Sequence, residues 1–141
     1  MSLTLLAPLI AAGLLGSAAL ALQVQRGRQA QLIGRVIAPR APAGSAMQPA
    51  VLYFTGAACT ICHTAQTPAL ARLADDLGGS AVIQEVDVAD KPDLARRYRV
   101  MSLPTTVVLA ADGTVAAVNV GFASADRIRE QLTAAGLRAA A

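Results

Sequence analysis

Cys59 and Cys62 are the only cysteines in the chain, and just two residues separate them. An apolar run precedes them (Val51, Leu52, Tyr53, Phe54) and reads as a buried strand. Leu70, Leu73 and Leu77 follow at the spacing of one helix face. Cys59 therefore falls where a strand turns into a helix. Free backbone N–H groups and the positive end of the helix dipole gather there, and both favour a thiolate over a thiol. Cys62 lies one turn further in, within reach for a disulfide. Thiol–disulfide exchange needs such a pair: one exposed, acidified nucleophile and one shielded thiol to resolve the mixed disulfide.

Other uses of the pair fit less well. A structural disulfide gains most by closing a long loop, and a C-x-x-C closes a very short one. Cys59, Cys62 and His63 are too few for a structural zinc site, which normally takes four ligands; a second chain or a carboxylate would have to complete it. The assignment is metal none, cofactor none. His63, one residue past the pair, reads as a surface side chain close enough to modulate the thiolates.

The start of the chain differs from the rest. Met1 to Gln25 carries no charged side chain, and Leu3 to Leu22 is almost continuously apolar. About twenty such residues as a helix cross the hydrocarbon core of a bilayer. Pro8, Gly13 and Gly16 are compatible with that, being common in membrane helices. A cleaved signal peptide is the rival: Ala19-Leu20-Ala21 resembles a cleavage site, but no Lys or Arg precedes the apolar stretch. The segment reads as an uncleaved single-pass anchor.

The basic balance of the chain is local. Arg26, Arg28, Arg35 and Arg40 follow the apolar stretch, and from Met47 onward eight Lys/Arg face nine Asp/Glu. The folded part is therefore slightly acidic, and no nucleic-acid partner is implied. The four arginines suit an anionic lipid surface. Positive charge after the span and none before it place the domain on the cytoplasmic face; the extracytoplasmic face is the alternative.

Pro39, Pro42, Gly44, Ser45 and Pro49 mark a linker. Leu32 to Ile37 reads as a short strand or a continuation of the helix. The expected division is an anchor over 1–25, a basic juxtamembrane segment and linker over 26–49, and a folded domain over 50–141. Within the domain, strand Ala50 to Thr55 precedes a helix from about Cys59 to Leu77, kinked at Pro68 and stopped by Gly78-Gly79. Strand Ala81 to Val88 leads to a short helix capped by Asp90 with Pro92 in its first turn. Strands Thr105 to Ala110 and Thr114 to Val120 flank a hairpin signal, Asp112-Gly113. Ser124 caps a last helix with Ile128, Leu132 and Ala135 inward. The order β-α-β-α-β-β-α makes an α/β domain, a mixed sheet with helices on both faces.

Over about residues 50 to 136 the sequence resembles the thioredoxin family. The C-x-x-C follows the first core strand of that fold. Val100-Met101-Ser102-Leu103-Pro104-Thr105 matches the family segment that ends in a cis-proline. Val118-Asn119-Val120-Gly121 matches the strand end and glycine opposite the active site. The resemblance implies a thioredoxin-like fold and a substrate groove shaped by Pro104. In that groove the backbone of Leu103 pairs with an extended peptide beside Cys59. Ala58, Thr60, Ile61, Leu103 and Gly121 are then expected to line the substrate.

The sequence also departs from the family. Ala58 stands where a Trp is usual, and Thr60-Ile61 replaces Gly-Pro between the cysteines, so the redox potential cannot be carried over. Pro68 is displaced by one residue from the family's helix proline. Tyr53 occupies the place of a buried acid that helps deprotonate the resolving cysteine, and a phenol is a poor base near neutral pH. Glu85, on the adjacent strand, is the expected replacement if it is buried near Cys62; otherwise it points to solvent.

The reading is a membrane-anchored thiol–disulfide oxidoreductase, with Cys59, Cys62, Pro104 and Glu85 as its catalytic set. It would act on protein thiols and disulfides and exchange electrons with a dithiol redox partner. A metal-handing module on Cys59 and Cys62, or a redox-silent adaptor, is the alternative.

Overall fold

The computed structural model of the chain describes residues 3–37 and 48–137. Its centre is β1 (Ala50–Thr55), buried at all six positions. An unbroken apolar strand is what coverage on both faces requires. β1 pairs in parallel with β2 (Val82–Asp87) and antiparallel with β3 (Thr105–Leu109). β3 in turn pairs antiparallel with β4 (Val115–Val120), giving the order β2-β1-β3-β4. The mixed sheet expected from the element order is present.

Helices cover both faces. α2 (Thr67–Leu77) and α4 (Ala125–Ala134) bury Leu70, Leu73, Leu77, Ile128 and Leu132 against Val51, Tyr53 and Val108. Burying each Leu or Ile is worth about 1.5–3 kcal/mol. On the other face α3 (Pro92–Arg97) brings Ala95, with Tyr98 just beyond it, onto Leu52, Phe54, Val86 and Val107. Gly78, in the left-handed conformation at φ +54, ends α2 as its sequence position predicts. Ser124 caps α4, its Oγ accepting the Arg127 N–H at 3.3 Å. Asp90 does not cap α3: Pro92 takes the first helical position, which makes Lys91 the N-cap, without a side-chain bond.

The expected single helix from Cys59 to Leu77 is instead divided just before its proline. Residues Cys62–Gln66 form a π-helical turn, and α2 starts only at Thr67. Proline has no N–H, and its ring crowds the carbonyl four residues back. The wider turn gives that carbonyl room, and the Thr67 N–H donates to Cys62 O instead.

α1 spans Leu3–Ala30 and so runs past the boundary expected at residue 25. Its stretch Ala7–Arg28 is long and apolar enough to cross a membrane, and none of it is buried in the protein. The following residues are not all linker. Leu32 is buried with the second cluster, because it adds an apolar side chain to the face α3 leaves open. Gly34 N–H donates to Val115 O and Val115 N–H to Arg35 O, and Val36 bridges Thr114, so this segment borders the start of β4. Part of the linker signal (Pro39, Pro42, Gly44, Ser45) lies outside the described residues.

Candidate functional site

The pairing register brings the end of β1 beside the start of β3, with Phe54 opposite Thr105. The turn after Thr55 and the loop before Thr105 are therefore neighbours. Gly56 allows their close approach: a Cβ there would lie 3.0 Å from Leu103 Cδ1. The Leu103–Pro104 bond is cis, as the resemblance implies. At the far end of β4, Gly121 adopts φ +82, a conformation that favours glycine. Its N–H donates to Pro104 O at 2.8 Å. Three stretches separated in sequence thus meet at one end of the sheet.

Cys59 N–H closes a turn onto Gly56 O, and Cys59 O accepts the first helical bond, from His63 N–H. Cys59 therefore sits at the N-cap of the helix that continues through the π turn. Its sulfur does what an N-cap oxygen does, accepting the Cys62 N–H at 3.2 Å. The two cysteines form a disulfide with Cα atoms 5.3 Å apart. They differ in access, since Cys59 is half-buried and Cys62 has no exposed surface.

The other sequence-derived residues divide by exposure. Ala58, Thr60 and Ile61 are exposed beside the pair, Leu103 and Gly121 are half-buried, and Pro104 is buried. Leu103 and Cys59 pack against the same buried cluster. His63 is exposed, as expected, and its ring Nε2 lies 3.3 Å from Ala57 O.

Glu85 corrects the expectation of a relocated acid. Its register partner is Tyr53, which puts it level with the site, but β2 is an edge strand and Glu85 is exposed. Tyr53 itself is buried, and its hydroxyl donates to Cys62 O at 3.1 Å and lies 3.2 Å from Thr67 Oγ1. Instead of a base beneath the resolving cysteine, the chain has a tether on the carbonyl of that cysteine. Among the described residues no group of three or more His, Cys, Asp or Glu is placed to hold a metal ion.

Gln66 did not stand out in the sequence. It is fully buried, donates to Ala123 O at 3.0 Å and accepts the Ala123 N–H at 2.9 Å. One side-chain amide thus satisfies both backbone groups of a buried residue beside Gly121, and fixes that loop against the helix bearing Cys62. The signal was available: Gln66 is a polar residue four positions after Cys62 and four before Leu70, inside the apolar stripe.

The family model described as Thioredoxin matches residues 43–134. Thioredoxins of Staphylococcus epidermidis and Staphylococcus aureus are 40% identical over 65 residues, which is 46% of this chain and 62% of theirs. The match thus spans less than two thirds of the length of these relatives. Among solved structures, thioredoxin-2, titled a component of malaria parasite protein secretion machinery, superposes with a TM-score of 0.58 at 28% identity. That match covers 62% of this chain and 82% of the other. Chloroplastic thioredoxin z superposes with a TM-score of 0.58 at 25% identity, covering 64% and 80%.

Proposed function

The chain belongs to the thioredoxin family, and from that premise we propose that it is a membrane-anchored thiol–disulfide oxidoreductase acting on protein substrates. The observation that carries the reading is the asymmetry of the pair. Cys59 is accessible and its sulfur takes a backbone N–H at a helix start, while Cys62 is fully enclosed. The same N–H would stabilise a Cys59 thiolate in the reduced protein.

In the reducing direction, the Cys59 thiolate attacks a substrate disulfide. One substrate sulfur leaves as a thiolate and the other becomes bonded to Cys59. Cys62 then loses its proton and attacks Cys59 Sγ, releasing the second substrate thiolate. Two electrons pass to the substrate, both of its thiolates take up protons, and the protein is left with the Cys59–Cys62 disulfide. A dithiol redox partner regenerates the reduced pair. Exchange between sulfurs needs no organic cofactor. Ala58, Thr60, Ile61, Leu103, Pro104 and Gly121 form the surface on which a substrate peptide lies, with the Leu103 backbone pairing to it.

Trapping tests the roles. Cys62→Ser should hold substrate proteins in a mixed disulfide visible on non-reducing gels, whereas Cys59→Ser should capture none. Equal capture by both variants would overturn the assignment.

Anchoring rests on α1, whose apolar side chains, among them Leu9, Leu14 and Leu15, meet no core and find an apolar solvent only in a bilayer. Arg26, Arg28 and Arg35 on its far side favour a cytoplasmic domain, hence a reductase. A C-terminal alkaline phosphatase fusion should be inactive; strong activity would place the domain outside.

A further inference from the structure

Where α1 meets the edge of β4 there is a cavity of about 370 Å³ that neither cysteine lines. Arg26 and Ile33 line one side, and Asn119, Val120, Phe122 and Arg127 the other. Asn119 Oδ1 accepts the Arg127 Nε–H at 3.1 Å, which steadies that guanidinium. Among the described residues neither Arg26 nor Arg127 is in an ion pair, and no carboxylate lines the cavity. Two unneutralised guanidiniums thus share a space that also presents apolar side chains, Ile33, Val120 and Phe122 among them. The ligand that complements both features has an anionic head, which guanidinium recognises by paired N–H donors, and a hydrocarbon part.

Position narrows the class. Arg26 lies in the last turn of the apolar stretch Ala7–Arg28, at the depth where hydrocarbon would give way to headgroups. We propose that this cavity seats the phosphate of an anionic phospholipid between Arg26 and Arg127, with the lipid's apolar part against Ile33, Val120 and Phe122. The proposal rests on the membrane-anchor reading above and deepens it. It gives the lipid a bearing on the site, because Phe122 follows Gly121, whose N–H is bonded to Pro104 O. A lipid seated there holds the substrate edge of the domain toward the bilayer surface.

The test uses the full chain in nanodiscs of phosphatidylcholine with a minor fraction of phosphatidylglycerol. The chain has no Trp, so Phe122→Trp places a single tryptophan, excited apart from the two tyrosines, in the cavity wall. Brominated phosphatidylglycerol should quench it more than brominated phosphatidylcholine at equal mole fraction. Arg127→Gln should lower that preference about fivefold, while Arg35→Gln, an exposed arginine outside the cavity, should lower it much less. Native mass spectrometry of the chain with Phe122 intact should show retained phosphatidylglycerol, lost in Arg127→Gln.

Equal quenching by the two lipids, or equal effects of the two arginine variants, would overturn the proposal. So would loss of the preference on adding inorganic phosphate, which would make the cavity a soluble-anion site. If the chain inserts without lipid preference, the cavity proposal alone fails. If it stays out of the bilayer, the anchor reading fails and the proposal falls with it.

Discussion

The two faces of the sheet are both buried, by different chemistry. On the face carrying α2 and α4, three polar side chains that lie among the apolar ones are tied to specific partners. Tyr53 holds Cys62 O, Gln66 holds both backbone groups of Ala123, and Asn119 joins Thr106, Gln131 and Arg127. The opposite face is nearly dry. Phe54 and Tyr98 meet there with tilted rings, centroids 5.7 Å apart and planes at 49°, and burial raises the Tyr98 phenol pKa by desolvation. Apolar packing tolerates small slips of position, whereas a hydrogen bond to a named carbonyl does not. The face that must hold a sulfur pair and its neighbouring loops uses the directional bonds; the other supplies cohesion.

That contrast is broken most forcefully from the dry face. Phe54→Ala should destabilise the domain by about 3–5 kcal/mol, the range for emptying a buried aromatic site. Denaturant midpoints would read the loss. Under conditions where the variant is still folded, the rate of attack by reduced Cys59 on a small disulfide should be unchanged. A large change in that rate in the folded variant would show that the two faces are not separable.

Tyr53→Phe addresses the tethered face and should have a smaller effect. The ring stays in the core, and Cys62 O keeps the Thr67 N–H, so only the hydroxyl's bonds are lost, about 1 kcal/mol. The loss should be local: faster hydrogen exchange at Thr67, with the exchange of β1 amides little altered. Uniformly faster exchange through the sheet would mean that Tyr53 contributes general stability and not a tether on the π turn.

The sequence revealed the two faces unevenly. Element order, the glycine stop at Gly78, the Ser124 cap and the cysteine turn were all legible, because each is set by local periodicity or by a residue with one strong conformational preference. The tethers were not. Tyr53 and Gln66 act across the fold, on carbonyls and amides whose positions depend on how strand and helix meet, and a residue list carries no such distances. The π turn was half legible: Pro68 signalled a disturbance, but whether the helix bends or widens depends on the Thr67 N–H finding Cys62 O. Leu32 to Ile37 left strand and helix open because so short a stretch among basic residues shows no clear period, and the burial of Leu32 depends on a cluster built from distant parts of the chain.

Glu85 sharpens the comparison with the smallest effect. By register it belongs level with Tyr53, on the face that uses directional bonds. If membership of that face were sufficient for a role in resolution, Glu85→Gln should slow the attack of Cys62 on a mixed disulfide and shift the pH dependence of that step. Burial predicts otherwise. β2 is the sheet edge, Glu85 is exposed, and water screens its charge from the enclosed Cys62. Stability should stay within about 0.5 kcal/mol, as for other exposed substitutions. Stopped-flow resolution of a mixed disulfide formed on Cys59 should give the same rate and the same pH profile for Glu85→Gln as for the unsubstituted chain. A resolution rate reduced tenfold, with the first attack unaffected, would mean that an exposed carboxylate reaches the sulfur through water. The dividing line would then run by distance along the sheet, and no longer by what is buried on each face.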